Sequence, residues 1–385
     1  MKNLVNLLIL ICIVFLLGGC DQKFAIVPSG KTIKVGIIAP FSGSDHAKGK
    51  EGLKGMQVAM QLQPYLQNGD RIELVAENDK DDPALTVKLL KKLIKEVKVS
   101  AIITFSSTSP VSAMAKVADE YRTPILAALA THPDTTKHNV FISQLCFDDD
   151  FQGTVAAVFV RDDLLIDKVA VFNNPTSVYS GHLAAKFESK FKSIGGEITD
   201  TVSLTEETGD LSKVIKSVHD NTPELLYLPI SAKDLVRIVR EVRKLHWKPK
   251  MMGSDGLIAT MLAQHKEEID LVDGMLATDF FAHGMPLNPF GKRARDKYLE
   301  KYKSTPTVYA ALGVEAYSIL LNAMNRCNDP ADRECINKQI RSTANFAGLI
   351  GNITIGPNGK TQRPLTINSI QGGRSKFIFK VYLSS

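Results

Sequence analysis

From Lys31 onward, short apolar runs rich in valine and isoleucine alternate with amphipathic stretches that carry helix punctuation. Residues 33–39 and 72–76 read as strands, because compact β-branched runs between polar breaks suit a buried, pleated ribbon. Asp81-Asp82-Pro83 then supplies an N-cap and a first-turn proline, and Leu85, Leu89, Leu90, Leu93, Ile94 and Val97 follow at helical spacing. Strands over 101–105 and 124–129 flank a helix over 111–121. After an apolar stretch at 140–143 the rhythm restarts, with helices from Phe151 and over 181–193, 211–219 and 232–246, and strands over 168–172, 197–204, 225–228 and 250–252. A late helix over 309–326 and a β segment holding Ile353-Thr354-Ile355 and the turn Asn358-Gly359 close the pattern. Alternation of this kind demands parallel sheets with helices on both faces. Open sheets rarely exceed about ten strands, so the chain is expected to be α/β, with two doubly wound parallel-sheet lobes. No low-complexity linker separates the halves, which predicts a hinge made of several strands.

The first residues change the picture of where this fold works. Met1-Lys2-Asn3 precedes an apolar run over 4–17 and then Gly18-Gly19-Cys20: a basic head, an apolar centre and a small-residue cleavage site. The run is short against the ~20 residues of a membrane span. It resembles a bacterial lipoprotein signal, which implies removal of residues 1–19 and a lipid on Cys20. An uncleaved anchor helix would leave the remainder outside the cytoplasm as well. Asp21 resembles the retention signal that keeps enteric lipoproteins at the inner membrane. What remains is long enough for two domains of ordinary size. The formal net charge of +6 is mild and its lysines and acids are interspersed, so nucleic acid is not expected as a partner.

Of five cysteines, Cys12 falls in the signal and Cys20 is the lipid site. Cys327 and Cys335 stand close together in an oxidising compartment and are expected to form a local disulfide. Cys146 is left over, and a small buried apolar residue is the reading for it.

Candidate chemistry gathers at strand ends, because ligands of open α/β sheets bind beyond the carboxyl edge. Ser106-Ser107-Thr108-Ser109 lies between a strand and a helix. Its hydroxyls and the free N–H groups of the helix would cradle an anion; plain N-capping by one serine explains the run equally well. The next strand ends in Ala130-Thr131-His132-Pro133, with another hydroxyl. In the second half, Gly253-Ser254-Asp255-Gly256 ends a strand in a carboxylate. Donors would then face an acceptor across a cleft.

These stretches, taken in order, resemble the type I periplasmic-binding-protein family of branched-chain amino-acid transport receptors. The marks are V-G-I-I-A-P-F-S-G from Val35, E-N-D-K-D-D-P from Glu77, F-S-S-T-S and then A-L-A-T-H-P, D-D-F-Q-G, V-Y-S-G-H-L-A from Val178, G-S-D-G at 253–256 and F-A-G-L-I-G-N-I from Phe346. The resemblance implies lobes of 31–147 plus 279–350 and of 148–278 plus 351–385, joined by a three-strand hinge. It implies that Ser107, Thr131 and the amide of Leu129 or Thr131 hold a ligand carboxylate. Asp255 would pair with the α-amino group, Asp149 would sit beside it, and Tyr179 would line the second lobe. The expected activity is capture of a small amino-acid-like ligand by lobe closure and delivery to an ABC permease, by a receptor lipid-anchored on the periplasmic face of the inner membrane in a Gram-negative cell. A receptor of the same fold that signals to a membrane sensor or envelope enzyme is the alternative. Two departures bear on the ligand. Leu228-Pro229-Ile230-Ser231-Ala232 stands where the family often shows a large residue, and Lys48 stands where branched-chain receptors show an aromatic one. A branched aliphatic ligand does not follow.

An enzyme would need a constellation that is missing. The eight histidines are scattered, with no HExxH pair and no cysteine–histidine metal spacing. Gly359-Lys360-Thr361 resembles the end of a phosphate loop, but Thr354 occupies the place of the upstream glycine. Neither metal nor cofactor is expected.

Overall fold

The computed structural model describes residues 30–205 and 208–382, so the expected signal and Cys20 lie outside the described residues. Five strands, β1 (Thr32–Ala39), β2 (Arg71–Asn78), β3 (Ala101–Thr104), β4 (Ile125–Ala127) and β5 (Ile142–Gln144), form a parallel sheet in the order β2-β1-β3-β4-β5. A second sheet takes β6 (Lys168–Asn173), β7 (Glu197–Ser203), β8 (Leu225–Leu228), β9 (Lys250–Gly253) and β10 (Leu276–Asp279) in parallel, ordered β10-β9-β8-β6-β7. The short strands β11 (Phe346–Ala347), β12 (Asn352–Ile355) and β13 (Thr361–Gln362) pair antiparallel by themselves. The chain then returns to the second sheet, where β14 (Leu365–Gln371) and β15 (Arg374–Val381) extend it antiparallel past β10. Two α/β lobes result, as the alternation predicted.

The longest element missing from the sequence reading is the first helix, α1 (His46–Leu62). Its glycines hide it, since each costs a helix interior about 1 kcal/mol relative to alanine. The same glycines are its packing surface. A Cβ on Gly55 would lie 1.9 Å from the carbonyl oxygen of Ala310, and one on Gly313 would lie 2.1 Å from that of Gly52. Backbone therefore meets backbone between α1 and the helix over Val308–Asn325, which is itself buried on almost every face.

Several boundaries move in ways that matter for the cleft. The helix expected over 111–121 runs over Thr108–Glu120, so Ser107 is its N-cap residue. The helix expected from Phe151 runs over Asp149–Val158, with Asp148 as its cap, and that expected over 181–193 begins at Val178 with Ser177 as its cap. Asp149 and Tyr179 thus both sit in first turns at the carboxyl edges of the sheets.

The chain passes between the two sheets three times, after β5, after β10 and before β14. A buried ion pair holds these passages together. Arg363 and Glu315 meet at 2.9 Å with side chains 1% and 2% exposed. Arg363 also donates to the Leu145 carbonyl at 3.2 Å and stacks over Phe280, and Glu315 accepts from the Leu349 amide at 2.8 Å. Away from the hinge, Cys327 and Cys335 form the expected disulfide, with Cα atoms 5.9 Å apart. Cys146 is free and buried, its thiol donating to the Ala130 carbonyl at 3.3 Å.

Candidate ligand-binding cleft

The carboxyl edges of both sheets face a cavity of ≈320 Å³. Ser107, Leu129, Tyr179 and Asp255, all expected at the site, line it; Thr131 and Asp149 are fully buried beside these residues and do not line it.

On the amino-terminal wall the four hydroxyls have separate fates. Ser106 donates to Asp79 at 2.5 Å. Asp79 also accepts from the Thr86 hydroxyl at 2.8 Å and the Asp81 amide at 2.9 Å, so Ser106 belongs to a closed structural hub. Ser107 caps its helix without a side-chain bond to it. Instead its amide donates to Asp81 at 2.7 Å and its hydroxyl donates to the same carboxylate at 2.6 Å. Lys80 and Asp81 have left-handed backbones, with φ of 56° and 59°, in the turn that carries this carboxylate. Thr108 is buried and lines the cavity, while Ser109 is exposed. The expectation of a donor at Ser107 needs a correction of sign: with both its protons held by Asp81, it offers the cleft lone pairs. Lys48, on the same wall, pairs with Asp45 at 3.0 Å. Burial works against its charge, but Asp45, Asp81 and the Tyr309 phenol outweigh that and hold the ammonium above its ordinary range.

Beneath the cleft surface lies a nest of acids and hydroxyls. Asp149 is wholly buried and neither of its carboxylate oxygens has a hydrogen-bond partner; the Thr131 hydroxyl, the Gln152 carbonyl oxygen and the Tyr227 hydroxyl are likewise buried without one. Burial, opposed by the nearby Thr131 hydroxyl and reinforced by Asp255, Asp148 and Asp150, holds the Asp149 carboxyl well above the usual carboxylate range. Asp255 accepts from the Tyr179 hydroxyl at 2.6 Å, yet burial still raises its pKa. Asp279, at the end of β10, is raised well above its ordinary value by burial and by Asp255. Few buried polar atoms in proteins go unpaired. Acceptors gathered in this way, with burial disfavouring their charge, suit a cationic group that brings its own donors.

Tyr309 closes the site from the first lobe. Standing at the start of the helix that packs on α1, it donates to the Gly256 carbonyl at 2.9 Å and meets the Thr260 hydroxyl at 2.8 Å. Both partners follow Asp255 closely in sequence, and a Cβ on Gly256 would approach the Tyr309 oxygen to 2.6 Å. Tyr309, Asp81, Gln152 and Tyr227 were not expected at the site. A signal existed for Asp81: of two adjacent aspartates before Pro83, Asp82 alone caps the helix, through the Leu85 amide at 2.7 Å.

Two lobes closing over a cleft lined at strand ends are the anatomy of a solute-binding protein, and the chain belongs to the periplasmic binding protein family, whose sequence pattern matches residues 32–374. It is a binding protein, not an enzyme. Among its relatives, the amino acid binding protein of Pseudomonas aeruginosa is 24% identical over 308 residues, 78% of this chain and 80% of that one. The Leu/Ile/Val-binding protein homolog 2 of Brucella abortus is 25% identical over 348 residues, 87% of this chain and 90% of that one. The crystal structure of a leucine binding protein from Thermotoga maritima superposes with a TM-score of 0.84 at 29% identity, covering 91% of this chain and 99% of the other.

Proposed function

We propose that the protein is an extracytoplasmic receptor, tethered by lipid on Cys20 after removal of residues 1–19, that captures a small amino-acid-like solute and delivers it to an ABC permease. The lobe of 31–147 plus 279–350 closes on that of 148–278 plus 351–385 about the three passages tied by Arg363. In a Gram-negative cell the anchor holds it at the periplasmic face of the inner membrane. Relatives named for amino acids support the ligand class, and the family name supports the compartment.

The observation that carries this reading is the unpartnered, fully buried Asp149 carboxylate beside Asp255 at the edge of a cavity. The ligand ammonium sits between these two acids, and its carboxylate takes the Thr131 hydroxyl and the amides at Leu129 and Thr131. Ser107 and Tyr179 close the walls. Hydrogen bonds to charged groups contribute roughly 1.5–3 kcal/mol each, so a few account for the ~8 kcal/mol of micromolar binding. Contacts from both lobes stabilise the closed form, and closure presents a new surface to the permease.

Thermal-shift screening of free amino acids, their amides and their deaminated acids tests this. A ligand at one hundred times its dissociation constant stabilises by ~2.7 kcal/mol, a rise of roughly 5–11 °C for lobes this size. An amide or a deaminated acid that shifts the transition as far as its parent amino acid would sink the reading. The tether is tested by metabolic labelling with a fatty-acid analogue, which should mark the wild type and not Cys20→Ala.

A further inference from the structure

The amino-terminal wall of the cleft is an acceptor surface, although its sequence promises donors. Asp81 takes both protons of Ser107, through the amide at 2.7 Å and the hydroxyl at 2.6 Å. The wall therefore shows the cavity the oxygens of Asp81, Ser107 and Asp45, all of which line it. Among the described residues that line the cavity, Lys48 is the single cation on that side, and it is bound to Asp45 at 3.0 Å. Two carboxylates against one ammonium leave the wall negative. Lys233 and His265 also line the cavity, both from the second lobe; Lys233 is exposed, and its charge is screened by solvent and salt. A branched aliphatic side chain against this wall would strip water from carboxylate oxygens and return no hydrogen bond. A ligand with a second anionic group would add to the negative charge. A cationic nitrogen satisfies the wall.

Resting on the amino-acid reading above, we infer that Asp81 sets the specificity of this cleft: the ligand is an amino acid whose side chain ends in a cationic nitrogen, of the lysine, ornithine or arginine type. The α-ammonium goes to Asp255 and Asp149, and the distal nitrogen reaches Asp81 and the Ser107 oxygen. The left-handed pair Lys80 and Asp81, with φ of 56° and 59°, fits a turn shaped to carry that carboxylate to the cleft. Its neighbour Asp82 already supplies the helix cap.

The experiment is isothermal titration of the purified full chain with L-lysine, L-arginine, L-leucine, L-glutamine and L-glutamate, on wild type, Asp81→Asn and Asp45→Asn. Asparagine keeps an acceptor for Ser107, and melting curves without ligand establish that both variants fold. The wild type should bind lysine or arginine at least about tenfold tighter than leucine, glutamine or glutamate. Asp81→Asn should lower affinity for the basic amino acid about ten- to hundredfold, as expected for loss of a charged hydrogen-bond partner, while changing leucine binding little. Asp45→Asn should have a smaller effect of the same sign. Leucine or glutamate binding as tightly as lysine would overturn the inference, and so would a basic preference that survives in Asp81→Asn. If none of these amino acids binds, the amino-acid reading itself fails and this one falls with it; amino acids that bind without a basic preference sink this inference alone.

Discussion

Asp79 and Asp149 are both wholly buried aspartates near the carboxyl edge of the first sheet, yet they live in opposite surroundings. Asp79 accepts from the Ser106 hydroxyl, the Thr86 hydroxyl and the Asp81 amide. Neither Asp149 oxygen has a well-formed hydrogen bond, and the Thr131 hydroxyl is its one neutral polar neighbour of weight. Burial raises the pKa of each; at Asp79 those three hydrogen bonds pull it back against Asp81, whereas at Asp149 the Thr131 hydroxyl alone opposes burial and the acids Asp255, Asp148 and Asp150. Glu315, with Arg363, is of the first kind. A buried acid whose partners all come from its own chain builds the fold; one left without them stands ready for something from outside.

The difference can be broken experimentally, most severely at the hinge. Arg363→Leu leaves Glu315 charged and uncompensated, and should lower unfolding free energy by about 3–5 kcal/mol in urea titrations. Adding Glu315→Leu should restore most of that loss. At Asp79→Ala, two hydroxyls and one amide lose their acceptor, and the same titration should show a loss of about 2–4 kcal/mol. Tyr309→Phe removes one hydroxyl that joins the lobes beside Asp255. Calorimetry with a binding amino acid should show affinity weakened by about 0.5–1.5 kcal/mol, with the ligand-free melting temperature nearly unchanged.

A small effect on stability, and the sharpest contrast with Asp79, is expected at Asp149→Asn: within about 1 kcal/mol near neutral pH. Its pH dependence carries the sign. The folded-state pKa of Asp149 is raised, so its contribution to stability is full below the unfolded-state value of about 3.9 and is lost as pH rises through the folded value. Urea midpoints of the ligand-free wild type should fall as pH rises above about 4, and those of Asp149→Asn should fall less. Equal slopes would place Asp149 with Asp79 as a structural acid.

The alternation of strands and helices was legible because each lobe repeats one strand–helix unit, whose periods differ plainly between element types. The helix His46–Leu62 was not, because its sequence places glycine where a partner backbone must approach, and that partner lies far along the chain. The strands Leu365–Gln371 and Arg374–Val381 were not delimited for want of a helix after each to complete the unit, and Leu276–Asp279 is only four residues long. At the cleft, Ser107 and Asp255 could be located because strand ends mark its edge, and Leu129 and Tyr179 through the family resemblance; all four line the cavity. The direction of the Ser107 hydrogen bonds could not, since it depends on Asp81 meeting it across 26 residues of sequence through a left-handed turn. Sequence shows where a hydroxyl is; its neighbours decide whether it gives or takes a proton.

The central claim is that Asp149 and Asp255 receive a ligand ammonium, and the most direct measurement removes that group from the ligand alone. Calorimetric titration should compare L-lysine with ε-aminocaproate, which is lysine without its α-amine, and L-leucine with isocaproate, its counterpart. The amino acid of the pair that binds should lose affinity about ten- to hundredfold on losing its α-amine, and Asp149→Asn should erase most of that difference. A deaminated acid that binds as tightly as its parent, in the wild type, would contradict the account.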